Sequence, residues 1–249
     1  MNALRRLAAV AVVAALAGCA GTPPAKGDPF EGMNRAVFAF NEKVDEIVLK
    51  PVATGYVKVV PELVRTGVDN VLGNIGDLWS AVNQLLQAKP VAAIEMGFRF
   101  VVNSTFGLGG LFDIASDAGL ERRSEDFGQT LGRWGLGPGP YLVLPFLGPS
   151  NIRDAAALPA DWKASPSGLL REPRDSNATT AVSLVNTRAK LLSVSRVVDD
   201  VALDKYVLVR DGYLARRRNL VYDGDPPEEP ESEPEDDAAS GAAKDATKK

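Results

Sequence analysis

Carboxylates are the side chains of this 249-residue sequence with the best claim to chemistry, and two pairs are adjacent, Glu125-Asp126 and Asp199-Asp200. Paired acids can divide acid and base roles in a hydrolase, or ligate calcium. Neighbours in sequence diverge on a helix, however, so spacing alone does not make either pair converge. The first reads as the opening turn of a helix, where negative charge is favoured by the helix dipole, and the second as a solvated face. Arg153-Asp154 stays open between a surface ion pair and bonds to phosphate and backbone. Composition removes most other chemistry. One cysteine, Cys19, and no histidine leave no disulfide, no thiolate or imidazole metal site, no Ser-His-Asp or Cys-His nucleophile and no histidine proton shuttle. The glycines between 128 and 139 invite a phosphate cradle. They lead into Pro138, Pro140 and an apolar segment rather than a helix, and lack the lysine of a P-loop, which argues against nucleotide binding. Carboxylate or lysine chemistry, and metal ions bound by oxygen alone, remain possible on composition.

Cys19 has another use. Arg5 and Arg6 precede an apolar run over residues 7–17, the charged-then-hydrophobic order of a secretory signal, and that run is too short to span a bilayer. It ends Leu16-Ala17-Gly18-Cys19, which resembles the lipobox at which a signal peptide is cut and the cysteine acylated. Residues 1–18 are therefore read as a removed signal peptide and 19–27 as a lipidated linker. Each buried methylene contributes about 0.8 kcal/mol, so two acyl chains anchor stably. By the same resemblance, Ala20 rather than Asp after the cysteine favours sorting to the outer membrane.

At the other end, residues 223–249 carry ten acidic residues and three lysines, with no aromatic, and are expected to be a disordered tail. Residues 20–222 carry 23 basic and 22 acidic residues, a near-neutral body that argues against a nucleic-acid partner.

The body, residues 28–222, is long enough for one domain. Asp28-Pro29-Phe30-Glu31 reads as a capping box opening a helix to about Val48. Pro51, Pro61 and Pro90 each open a further helical segment. Leu78, Trp79, Val82, Leu85 and Leu86 share one helical face, as do Val91, Ile94, Phe98, Val101 and Val102. Glycines then puncture residues 107–139 and predict turns. Helical pattern returns from about Thr180, with a last helix near 203–220. Strand-like alternation is scarce, so the fold class is mainly α, with one Gly/Pro-rich loop or hairpin. No stretch after the signal reaches the length of a membrane-spanning helix, which leaves helices lying in the bilayer as a closed bundle possible. Trp79, Trp134 and Trp162 suit either a membrane interface or a core. Arg216-Arg217-Arg218 reads as a solvated helix end, with anionic headgroups as the alternative partner.

Four stretches are specific in combination: Asp28-Pro29-Phe30-Glu31-Gly32-Met33-Asn34-Arg35; residues 99–113, from Arg99 through Asn103 and Gly107 to Asp113; residues 127–154, which hold Gly135, Gly137, Gly139, Pro140, Tyr141, Pro145, Gly148, Pro149, Arg153 and Asp154; and Arg210-Asp211-Gly212-Tyr213. In this order they resemble the VacJ/MlaA lipoprotein family over about residues 28–223. The resemblance implies a helical ring lying in the outer membrane. An amphipathic channel through it would remove misplaced phospholipid from the outer leaflet and pass it to a periplasmic phospholipid-carrier protein, beside a trimeric porin. The expectation of no enzymatic activity, no metal and no cofactor rests on this resemblance. Tyr141 to Leu147 reads on its own as a buried strand; the resemblance implies instead that Gly135 to Pro149 form a loop or hairpin controlling passage, with Gly137 and Gly139 permitting its bend. The same resemblance places Phe38, Phe40 and Asn41 near the ring opening, with plain helix packing as the alternative. A polar path between apolar walls would spare the headgroup the loss of its hydration. Two alternatives stand beside this reading: a structural envelope lipoprotein that braces a porin without moving lipid, and a carboxylate-dependent envelope hydrolase.

Overall fold

The computed structural model describes residues 28–228, so the signal peptide, Cys19, the linker and the tail beyond residue 228 lie outside the described residues. The first helix, α1 (Glu31–Val44), has Phe30 at its N-cap position and no side-chain cap. The capping box expected at Asp28 is therefore not formed. Asp28 is fully buried, and its carboxylate accepts from Asn34 Nδ2 at 2.8 Å and from the Tyr206 hydroxyl. Tertiary partners from a helix near the C-terminus outcompete the local cap.

Pro51 marks an interruption rather than a start. α1 runs through a π-helical turn, Asp45–Leu49, directly into α2 (Lys50–Val59). Proline has no N–H for the carbonyl four residues back, and its ring crowds that carbonyl. The helix answers by widening, with the Lys50 N–H bonded to Asp45 O five residues earlier. Pro61 and Pro90 behave as read: α3 (Glu62–Leu86) and α4 (Pro90–Thr105) begin beside them.

α3 and α4 pack against each other as an antiparallel pair, and their faces are inverted relative to a water-soluble bundle. Leu78, Val82, Leu85, Leu86, Val91, Ile94, Phe98 and Val101 point outward, Ile94 with 70% of its surface free. The residues withdrawn from solvent are mostly polar: Asn74, Asp77, Ser80, Asn83 and Gln84 on α3, with Arg99 and Asn103 on α4, beside the apolar Ala81, Ala93 and Met96. The buried charges are paired. Arg99, 0% exposed, forks onto Asp113 at 2.9 and 3.0 Å and reaches Asp77, Ser116 Oγ and the Leu120 carbonyl, while Arg122 meets Asp77 at 2.9 Å. A buried charge is tolerated only with such partners.

Past α4 come the short α5 (Ile114–Asp117), then α6 (Phe127–Arg133), the strands β1 (Tyr141–Leu144) and β2 (Gly148–Asn151), and α7 (Ile152–Ala164). Asp113, Asp126 and Asn151 cap α5, α6 and α7 by accepting from the backbone N–H three residues on. The glycine-punctured segment thus holds a helix where turns were expected. Gly128 and Gly132 lie on α6, one turn apart, and serve close packing. α8 (Pro173–Lys190) begins earlier than its apolar pattern indicated, because its first turns, Arg174 to Asn177, hold no apolar residue for a periodicity to register. α9 (Leu192–Val201) and α10 (Lys205–Val221) complete the body. α10 packs on α6 and β2, α8 on α2 and α3, and α7 on α6. Among the described residues, no helix is long and apolar enough to cross a membrane.

A conventional apolar core exists elsewhere. Tyr141, Val143 and Tyr206 are buried together, with Val37, Phe38, Val207, Tyr213 and Leu214 packed round them.

Candidate functional site

The hairpin is clamped by two asparagines. β1 and β2 pair antiparallel, with Tyr141 opposite Asn151 and Leu144 opposite Gly148, and Pro145, Phe146 and Leu147 form the turn. On the free edge of β1, Asn34 Nδ2 donates to Tyr141 O at 3.0 Å while its Oδ1 accepts from Val143 N at 2.9 Å. Asn41 repeats this two helical turns on, donating to Leu144 O at 2.9 Å and accepting from Phe146 N at 2.7 Å. Side-chain amides stand in for a third strand, satisfying edge groups that burial would otherwise leave unpaired. Pro149 sits opposite Val143, whose N–H is turned to Asn34, so its missing N–H leaves no ladder bond unmade.

Phe40 meets Phe146 edge-on, ring centroids 5.2 Å apart, at the tip of the turn, where Phe146 is 67% exposed in a left-handed conformation, φ +64°. Phe38 lies in the core instead, edge-on to Tyr206 at 5.6 Å. The structure therefore brings Phe40 and Asn41 to Pro145 and Phe146, and sends Phe38 to the base of the hairpin. Gly135, Gly139 and Gly148 have positive φ. Gly137 does not, so the bend expected of it is supplied by its neighbours. Around Gly139 space is also tight, since a Cβ there would stand 3.2 Å from Ile152 Cβ, whereas nothing lies within 4 Å of one at Gly137.

Arg153 and Asp154 are not a surface pair. They join at 2.9 Å, both buried. Arg217, from α10, forks onto Asp126 at 2.6 and 2.9 Å and places its Nε 2.8 Å from Asp154 Oδ2. Tyr213 donates its hydroxyl to Asp154 at 2.7 Å, and Asn151 its amide at 2.7 Å. Burial works to raise Asp154, but Arg217 and Tyr213 beside it outweigh burial and hold its carboxyl below the usual range. Asp126 is likewise lowered: burial opposes its charge, and the Arg217 fork with the Gln129 N–H prevails. Burial opposes the charge of Arg217 as well, and the two aspartates reverse that, so it remains protonated.

This cluster stands between two cavities. The larger, about 1220 Å³, is lined by Asp126, Asp154, Tyr213 and Arg217, together with Gln84 and Lys89; the smaller, about 800 Å³, by Gly135, Gly137, Arg153 and again Arg217. α6 comes close enough to wall the cluster because it has no side chain at two points. A Cβ at Gly128 would lie 2.6 Å from Asp154 Oδ1, and one at Gly132 2.7 Å from Arg153 Nη1.

The other sequence candidates separate. Glu125 does not share work with Asp126: it bonds Gln87 at 2.8 Å, lies 3.6 Å from Lys89, and is raised by burial. Asp199 pairs with Lys205 at 2.7 Å. Trp79 donates to Asp161 at 2.8 Å, while Trp134 and Trp162 are exposed. Asp223, the first residue of the expected tail, is held by Lys89 at 2.6 Å. The Arg216-Arg217-Arg218 cluster was read as a solvated helix end, and for Arg217 that is corrected: the middle arginine faces inward, a direction that three like residues in a row do not reveal. Asn34 was missed too, although Asn34 and Asn41, seven residues apart on one helix face, were a legible sign. Among the described residues no group of acids could hold a metal ion.

Outward apolar faces on α3 and α4, ion pairs behind them and two cavities that adjoin at Arg217 characterise this mainly helical protein. Comparison with known proteins supplies the family. The MlaA lipoprotein family model matches residues 26–220, and the chain belongs to that family. It is 34% identical over 235 residues to the intermembrane phospholipid transport system lipoprotein MlaA of Escherichia coli (strain K12), covering 90% of this chain and 93% of that protein. An uncharacterized protein of Rickettsia bellii is 37% identical over 197 residues, 78% of this chain and 77% of its own. A solved structure, described as the structural basis for maintenance of bacterial outer membrane lipid asymmetry, superposes with TM-score 0.70 at 34% identity, covering 79% of this chain and 100% of that one.

Proposed function

We propose that this chain is an outer-membrane lipoprotein, anchored through acylated Cys19, that removes misplaced phospholipid from the outer leaflet and hands it to a periplasmic carrier, with a trimeric porin as its partner in the membrane. The inverted polarity of α3 and α4 carries this reading. Outward apolar faces of that extent suit acyl chains, and the charged interior suits headgroups that cannot shed their hydration. The names of the relatives support the substrate class. In this reading the body lies in the bilayer, and the acyl chains position it rather than supply most of its membrane affinity. The step is physical, a lowered barrier for a polar headgroup, with no covalent intermediate.

Deleting the protein from cells is expected to leave phospholipid accumulating in the outer leaflet and to lower detergent resistance. A deletion strain with normal surface phospholipid and normal resistance would sink the proposal. The hairpin 141–151 is the candidate gate, hinged on the segment from Gly135 to Pro140 and held at its tip by Asn41 and Phe40. Gly137→Val tests this cleanly, since that position has room for a side chain and an ordinary φ. The variant should fold, reach the membrane and transport poorly. Wild-type barrier function would make the hairpin a passive segment.

A further inference from the structure

We propose that Arg217 receives the phosphate of a phospholipid headgroup, and that its ion pairs with Asp126 and Asp154 are the closed state of a partition between the two cavities. This rests on the reading of the protein as a phospholipid conduit, and names the group in it that recognises substrate. Arg217 lines both cavities, Asp154 only the larger and Arg153 only the smaller, although these last two are paired at 2.9 Å. The two cavities adjoin at Arg217 and Asn219, so a headgroup crossing between them at this point parts the cluster. A guanidinium already forked onto a carboxylate presents the geometry that two phosphate oxygens accept, so phosphate can take the place of Asp126 without loss of charge-assisted bonds. Arg153, Arg217, Asp126 and Asp154 sum to zero charge. A phosphodiester on Arg217 frees one aspartate, and both aspartates border the larger cavity into which a freed one can turn. On the side of α6 movement is blocked, because its backbone at Gly128 and Gly132, which also borders the cavities, is already against the cluster.

The test uses purified, detergent-solubilised full-length lipoprotein. It is titrated with dihexanoyl phosphatidylglycerol, with the matching diacylglycerol, and with inorganic phosphate, and binding is read by native mass spectrometry. Wild type should prefer the phospholipid to the diacylglycerol by about tenfold or more, the scale of a charge-assisted hydrogen bond. Arg217→Gln should abolish that preference and leave diacylglycerol binding as it was. Asp126→Asn keeps the guanidinium, removes its competitor and should tighten phospholipid binding by about tenfold. If Arg217→Gln fails to accumulate, Asp126→Asn decides alone: tighter binding supports the proposal and unchanged binding overturns it. A phospholipid preference that survives in Arg217→Gln overturns it as well. So does inorganic phosphate binding as tightly as the lipid, which would make this a free-anion site. Wild type that binds neither phospholipid nor diacylglycerol sinks the conduit reading itself, a result distinct from the others.

Discussion

Between α3 and α4 the withdrawn side chains are mostly polar, Asn74, Asp77, Asn83, Gln84, Arg99 and Asn103 beside Ala81, Ala93 and Met96; between α1, β1 and α10 they are Tyr141, Val143 and Tyr206, backed by Phe38 and Leu214. The first region turns Leu85, Ile94 and Phe98 outward and holds itself together by ion pairs and amides. The second follows the usual order of apolar residues inside. A single chain thus contains two solutions to burial, and the difference between them is what each expects outside. Large exposed apolar surface marks a membrane or protein interface, and α3 and α4 present such a face, which the proposed function assigns to lipid, whereas Tyr141, Val143 and Tyr206 are withdrawn as in a water-soluble core.

The largest test of that contrast is Arg99→Leu. It leaves the buried Asp77, and the half-buried Asp113, with Arg122 as the remaining cation, and truncating one partner of a buried pair costs about 3–5 kcal/mol. Urea denaturation in detergent should show that loss. Ile94→Ser, on the outer face of the same helix, should change stability by less than about 0.5 kcal/mol. Comparable costs at the two positions would break the claim of inversion.

Membrane affinity should respond the other way. Ile94→Lys is expected to weaken liposome flotation, by up to about 2.5 to 3.5 kcal/mol if the position reaches the bilayer centre. Undiminished flotation would place this face outside the lipid. In the second region Tyr206→Phe removes the hydroxyl that bonds the buried Asp28, which should cost about 1–3 kcal/mol in the same denaturation assay and leave flotation unchanged.

The smallest effect is in pH. Asp126 and Asp154 have lowered folded values, so their contribution is full above the unfolded aspartate value of about 4 and is lost as pH falls through the folded ones. Glu125, raised by burial, has the opposite sign: its stabilising effect is complete at low pH and is lost as pH rises through its folded value. Melting temperature should therefore decline below about pH 4, and Asp126→Asn should flatten that limb. An unaltered acid limb in the variant would remove Asp126 from the account.

Much of the fold was legible from local signals. Pro61 and Pro90 opened α3 and α4, and the apolar faces of both helices were read correctly as faces. Residues 127–154 stood out through glycine, proline and a short uncharged run, and they do hold the hairpin. Gly128 and Gly132 were misread because a glycine that ends a helix and one that lets a helix pack closely look alike in sequence. Asp28 was misread because a free N-terminal carboxylate resembles a cap until Tyr206 arrives from the far end of the chain. Arg217 was indistinct among Arg216 and Arg218, since helix phase selects which of three points inward.

What the sequence determined by itself was chemistry and membership. The residue types exclude imidazole chemistry and leave Cys19 as the one thiol, and the four ordered motifs place the chain in its family. Periodicity located the apolar stripe of each helix, but a stripe has no sign: the same spacing serves a helix that hides its apolar side in a core and one that shows it to lipid. Only the tertiary structure decided that sign, because it brings Asp77, Arg99, Asp113 and Arg122 together from separate segments, and charges so compensated can occupy an interior while Ile94 and Phe98 face out.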